Sequence, residues 1–179
     1  QRWTYFLMEN NLVNIINPSE LELKDESVVV INRVSKTITG GRRFRFNAVV
    51  AVGDGKGHLG IGFGKANDVM SAVNKSKENA KKNIFRVNIM NGTIPHEINV
   101  RYASSKVMLK PASPGTGVIA GGPVRILMEQ VGITDILSKI TASTNPVNVV
   151  RAVEKALKSL RDPITVARQR GITVKELFS

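Results

Sequence analysis

Residues 40–64 read Gly40-Gly-Arg-Arg-Phe-Arg-Phe-Asn-Ala-Val-Val50, then Ala51-Val-Gly-Asp-Gly-Lys-Gly-His-Leu-Gly60 and Ile61-Gly-Phe-Gly64, and they decide the fold. From Arg42 to Val52 the chain alternates, with Phe44, Phe46, Ala48, Val50 and Val52 on one face and Arg43, Arg45 and Asn47 on the other. A period of two is the mark of a strand. Gly53-Asp-Gly-Lys-Gly57 is a hairpin turn, because Gly and Asp-Gly accept the positive φ that such turns need. The return strand His58–Phe63 places Leu59, Ile61 and Phe63 on one face and only Gly60 and Gly62 on the other. That bare face offers a phosphate backbone or another chain a close approach.

Upstream, Val28–Val34 is a β-branched run and a first strand, followed by a turn-rich stretch to Gly40-Gly41. Val34–Gly41 is too long for a tight turn and reads as a projecting loop. Within it Gly40 and Gly41 supply conformations closed to other residues. Downstream, Asn67 or Asp68 caps a helix in which Val69, Val73, Ser76, Ala80, Ile84 and Val87 fall within about 80° of arc. Lys75, Lys82 and Arg86 lie opposite, and Asn91-Gly92 ends the unit.

A second unit follows. Glu97–Arg101 and Lys106–Lys110 read as strands, Pro111–Gly117 as a rigid loop, and Pro123 opens a helix stopped by Gly132. Ile133–Ile140 fits a strand or a helix equally. Thr144-Asn145-Pro146 starts a helix with Val149, Val153, Ala156, Leu157 and Leu160 inward and Arg151, Lys155 and Lys158 on the far side. Asp162-Pro163 starts a short helix ended by Gly171, and Thr173-Val-Lys-Glu176 is a capping box. The expected divisions are an extension over 1–26, a first domain over 27–93, a second over 94–161 and a helical tail over 162–179. The class is α+β, with a β-β-β-α unit followed by an α/β unit.

The 179 residues carry 26 basic and 14 acidic groups, a net charge of +12, with no cysteine and two histidines. Disulfides, thiolate zinc sites and cysteine nucleophiles are excluded, and a strongly basic chain points to a polyanion, most often nucleic acid. The charge is uneven: residues 1–27 sum to −3, residues 28–100 to +8 and residues 101–179 to +7. The start also holds Trp3, Tyr5 and Phe6. Its apolar stretch is too short for a signal peptide or membrane span, and too acidic for a transit peptide. It reads as a flexible extension or as an aromatic arm for a neighbouring protein.

Two motifs suggest nucleotides. Gly55-Lys-Gly-His-Leu-Gly60 matches GxGxxG, but a strand follows it where a dinucleotide site needs a helix. Pro111-x-x-x-Gly115-Thr-Gly117 resembles the phosphate loop of the galactokinase and homoserine-kinase superfamily. Val118 and Ile119 stand where those loops carry serines, and no catalytic aspartate is in an obvious place. The basic residues are the better candidates for function. Arg42, Arg43 and Arg45 concentrate charge on a strand and its turn, with Arg33 and Lys36 as anchors and Ser35 between them. Lys75, Lys82 and Arg86 add a helical stripe, and Lys56, Lys65 and Asn145 extend the RNA-facing set. Exposed aromatics for stacking are scarce, so phosphates and shape are the expected means of recognition.

Val30-Ile-Asn-Arg33-Val-Ser-Lys36, Gly40-Gly-Arg-Arg-Phe44, Val52-Gly-Asp-Gly55, Gly60-Ile-Gly-Phe-Gly-Lys-Ala66, Pro111–Gly122 and Ser143-Thr-Asn-Pro146 to Arg151-Ala152 closely resemble the S-five family of small-subunit ribosomal proteins, in order over about residues 24–178. The resemblance implies a double-stranded-RNA-binding-like first domain and a second domain with a left-handed β-α-β crossover, the fold shared with the kinases above. It implies a cytoplasmic, non-enzymatic protein without cofactors that contacts small-subunit ribosomal RNA and ribosomal proteins S-four and S-eight, near messenger entry. Gly117 and Arg125 match the S-four interface tied to decoding accuracy, where a side chain at Gly117 is expected to crowd a tight loop. Val34–Gly41 matches a loop beside the spectinomycin site, in which changes at Val34, Ser35, Lys36 and Gly41 alter drug response. Residues 1–23 have no counterpart. The other readings are a free double-stranded-RNA-binding regulator and, more distantly, a small-molecule kinase.

Overall fold

In the computed structural model, residues 21–23 and 26–178 are described. Most of the extension, including its aromatic residues Trp3, Tyr5 and Phe6, lies outside the described residues. The first sheet is antiparallel, in the order β1 (Ser27–Ile38), β2 (Gly41–Gly53), β3 (His58–Ala66) and β4 (Ile84–Arg86), with helix α1 (Val69–Lys82) between β3 and β4. The second sheet has the order β5 (Ile98–Tyr102), β6 (Ser105–Pro111), β8 (Ile136–Ala142), β7 (Val118–Ile119). Only β7 and β8 are parallel, joined through α2 (Gly122–Val131) as a β-α-β unit. Helices α3 (Pro146–Lys158), α4 (Pro163–Arg170) and α5 (Val174–Leu177) follow. The ambiguous segment Ile133–Ile140 is therefore a strand from Ile136 onward, and not a helix. It fills the place between β6 and β7, paired with β6 along its length and with β7 at Ile136 and Leu137.

Two expectations about the first unit are corrected. Val34–Gly41 is not a loop: β1 runs on to Ile38, which pairs with Gly41 across the two-residue turn Thr39-Gly40. Val34, Thr37 and Ile38 are β-branched, so the strand continues once β2 offers it a partner. Gly41 takes φ +136°, whereas Gly40 has no positive φ. The helix also ends earlier than its periodicity suggests. Asp68 caps it by accepting the Met70 amide, Lys81 and Lys82 sit in the last turn, and the chain leaves helical geometry at Asn83. Ile84-Phe85-Arg86 then returns extended along β3, pairing Arg86 with His58. Asn91-Gly92 turns a separate bridge between Met90 and Thr93, with both turn residues at positive φ.

Both faces of the central strands are covered. Val50, Val52 and Ala80 cluster with Leu23 and Val73 on the α1 side. Val49, Ala51, Leu59 and Ile61 join Leu127, Met128, Val149, Val153 and Leu157 in one core reaching into the second unit. The glycine face of β3 is therefore closed, contrary to the open approach expected from the sequence. A Cβ at Gly60, Gly62 or Gly64 would overlap the carbonyl oxygens of Ala80, Ser76 or Ala72 respectively. The three glycines let α1 lie directly on the strand. Ser76 completes the contact by donating to the Ala48 carbonyl at 2.9 Å and to Ala72 at 2.7 Å.

Candidate nucleic-acid interface

Beyond the core, β1 and β2 continue as a two-stranded ribbon, and Ser35 through Arg45 are exposed. Its register sorts the candidate residues by face. Lys36 pairs with Arg43 and Val34 with Arg45, while Lys65 sits opposite Asn47 on β3, so Lys36, Arg43, Arg45 and Lys65 share one side. They line a shallow concavity with Val34, Ser35 and Ile38. The other side carries Arg33, Arg42 and Ser35 around Phe44, with the Arg33 guanidinium 3.8 Å from the ring centroid. Among the described residues, Lys36, Arg42, Arg43, Arg45 and Lys65 form no ion pair. Five cations close together without carboxylates raise one another's energy, which an approaching polyanion relieves.

The remaining candidates are dispersed. Lys75 and Lys82 are exposed on α1, but Arg86 lies on β4, so the three do not form one helical stripe. Lys56 pairs with Glu22 at 3.5 Å on the surface. Asn145 accepts the Val147 amide at 3.2 Å, so its side-chain oxygen is committed to capping α3. Arg125 is exposed and paired with Glu129 one turn along at 3.1 Å. On α3, Arg151 and Lys158 are not simply outward. They cover the rings of Phe63 and Phe85 at 4.0 and 4.6 Å, while Glu154 binds both cations at 3.0 and 2.7 Å.

The two nucleotide-like motifs have structural duties. The Gly53–Gly57 turn docks on the end of α2: the Gly55 and Gly57 amides donate to the Gln130 and Val131 carbonyls at 3.1 and 2.9 Å. Gln130 Oε1 accepts the Gly53 amide at 3.1 Å, and its Nε2 donates to Ser27 at 2.8 Å. Inside the turn, Asp54 accepts the Lys56 and His58 amides and pairs with His58 Nδ1 at 2.6 Å. Burial raises the Asp54 pKa, but these hydrogen bonds outweigh it and hold the carboxyl below its usual value.

In the Pro111–Gly122 loop, Gly115 and Gly117 take φ of +89° and +77°. The Gly117 amide donates to Asp135 Oδ1 at 2.9 Å and the Thr134 hydroxyl to Oδ2 at 2.8 Å. These two bonds hold Asp135 below the usual carboxylate range against a smaller desolvation effect. The amide nest that resembles a phosphate loop thus has an internal anion. Sequence reasoning missed Asp135, because no local pattern links it to a loop eighteen residues earlier. The expected crowding at Gly117 is also corrected: nothing lies within 4 Å of a Cβ there, and only its positive φ disfavours a side chain.

The described residues hold no group of three or more metal-binding side chains, and no helix is long and apolar enough to cross a membrane. The only imidazole–carboxylate pair, among the described residues, supports a turn. Fold and surface together define a two-unit α+β protein with an exposed, electropositive ribbon. Residues 24–88 match the family model "Ribosomal protein S5, N-terminal domain", and residues 100–170 match "Ribosomal protein S5, C-terminal domain". The chain is 55% identical over 163 residues to the small ribosomal subunit protein uS5 of Chloroflexus aurantiacus, covering 91% of each chain. It is 47% identical over 169 residues to the protein of the same name from Bacteroides thetaiotaomicron, covering 94% of this chain and 96% of that one. The chain belongs to the ribosomal protein S5 family.

Proposed function

We propose that the protein is a structural constituent of the small subunit of a bacterial-type ribosome in the cytoplasm, and that its β1–β2 ribbon holds ribosomal RNA. The observation that carries this reading is the set of cations Lys36, Arg42, Arg43 and Arg45 on a ribbon anchored in a two-sided core, with Lys65 beside it on β3, none of which forms an ion pair among the described residues. Arg33, Ser35, Gly40 and Gly41 complete its contact surface. Lys56, Lys75, Lys82, Arg86 and Asn145 are peripheral contributors. Gly117, just before β7, and Arg125, in the first turn of α2, face ribosomal protein S-four, with S-eight and the messenger path also nearby.

Phosphate contacts position without reading sequence, and they release counterions. If about six to eight phosphates are engaged, the logarithm of the binding constant falls with that of salt at a slope of roughly −5 to −7. Replacing Arg42, Arg43 and Arg45 together with alanine removes about three contacts and flattens the slope by roughly 2 to 3, with thermal unfolding unchanged. A slope equal to that of the parent protein would rule the ribbon out as the RNA contact.

A further inference from the structure

The two faces of the ribbon differ in chemistry. One is a row of point charges, Lys36, Arg43, Arg45 and Lys65. On the other, Arg33 lies over the Phe44 ring, Ser35 sits directly across from Phe44, and Thr37 is across from Arg42. Phe44 is 46% exposed, although phenylalanine is among the residues most often buried. The alternation that buries Ala48, Val50 and Val52 has by Phe44 passed beyond α1, so the ring gains no core contact there. The cation–π contact is weak at an exposed site and does not by itself account for an aromatic residue in this position.

An aromatic ring layered with a guanidinium is, however, a surface on which a nucleobase stacks. Both groups stack on bases, and stacking tolerates any sequence because every base has a π face. The adjoining Ser35 hydroxyl can donate to or accept from a base edge. In a continuous duplex each base face is covered by its neighbours, so such a surface selects a base that is bulged or splayed out.

We propose that the Arg33–Phe44 pair is a stacking platform for one unpaired nucleobase of RNA, while the opposite face of the ribbon holds phosphates. This rests on the reading of the ribbon as an RNA contact. It replaces the expectation of recognition by phosphates and shape alone with a division of labour between faces.

The test uses the full chain and two RNA hairpins with the same stem, one carrying a single bulged 2-aminopurine. Affinity is read by anisotropy at one salt concentration, and stacking by quenching of the bulged base. The parent protein is expected to prefer the bulged hairpin by about tenfold and to quench its fluorescence. Phe44→Leu keeps an apolar side chain but loses the π face, and reduces the preference to less than about twofold with loss of quenching. Arg33→Lys keeps the charge without the plane and gives a partial loss. Arg43→Ala with Arg45→Ala weakens both complexes alike and leaves the preference intact. Preference and quenching that survive Phe44→Leu would overturn the platform while leaving the RNA contact standing. Failure of the parent protein to bind either hairpin would overturn both.

Discussion

At Asp135 a single carboxylate does for the Pro111–Gly122 loop what a bound phosphate does in the kinase loops it resembles: it receives an amide of a glycine-rich turn, that of Gly117. The negative charge is what the nest holds, so removing the charge without changing the shape is the informative substitution. Asp135 has a depressed pKa in the folded protein, led by the Gly117 amide and the Thr134 hydroxyl. Its contribution to stability is therefore complete above the unfolded carboxylate value and is lost as pH falls through the lower folded one. Asp135→Asn should lower the urea midpoint at neutral pH, and the gap from the parent protein should close on acidification below about pH 4. In the same variant, exchange of the Gly117 amide should quicken. Parallel stability curves across that range would show that Asp135 holds the loop by shape alone. The same reading makes Gly117 a matter of backbone conformation: its φ of +77°, not a shortage of room, sets what can replace it.

The ribbon shows how an element differs from the residues it contains. Read locally, Val34–Gly41 contains lysine, serine, threonine and two glycines, a composition shared by many loops. Paired with β2 it is a strand, because each of its residues has a register partner down to the Ile38–Gly41 closure. A strand presents alternate residues to opposite sides, so position in the register, and not charge alone, determines what each candidate can touch. Proline at Ser35 fixes φ near −65°, away from the more extended value of a paired antiparallel strand, and restricts the residue before it. Ser35→Pro should disorder the ribbon tip, seen as fast amide exchange over residues 34–43, while the core strands keep their protection. If the ribbon lies at the drug site that the family resemblance implies, ribosomes carrying the variant should also be less sensitive to spectinomycin. Full sensitivity in assembled ribosomes would remove the ribbon from that site.

At the scale of the molecule, the two sheets meet through β2 and β3, whose opposite faces serve two different partners. Val50 and Val52 pack towards α1, and Val49 and Ala51 pack towards the core shared with α2 and α3. The arrangement depends on the close approach of α1 to the β3 glycines. Gly62→Ala sets a Cβ against the Ser76 carbonyl, with no flexible side chain to move aside. Overpacking of this kind costs about 1–3 kcal/mol, with a higher cost where backbone must shift. The expected result is a urea midpoint lowered accordingly, with Gly40→Ala as a comparison in which no atom lies within 4 Å of the new Cβ and the backbone has no positive φ. Equal loss in the two variants would mean that helix–strand contact is not the limiting feature. The docking of the Gly53–Gly57 turn onto the last carbonyls of α2 adds polar links between the halves.

The alternation through β2, the Asp-Gly turn, the caps at Asp68, Asp162 and Thr173 and the Pro-opened helices are local events, and the sequence by itself determined them. Each rests on backbone sterics or on hydrogen bonds spanning a few residues. The net charge and the cluster at Arg42–Arg45 likewise revealed an electropositive surface before any fold was known. Tertiary structure decided what depends on a partner distant in sequence. Ile84 and Val87 fit a helical stripe, yet β3 has an edge to fill, so Ile84–Arg86 is a strand. The glycines of β3 resembled an open landing place, yet the helix that follows needs that space. Asp135 resembled an ordinary acid until its carboxylate met the Gly117 amide. Burial, pairing and the filling of an amide nest are properties of two segments brought together, and neither segment carries them alone.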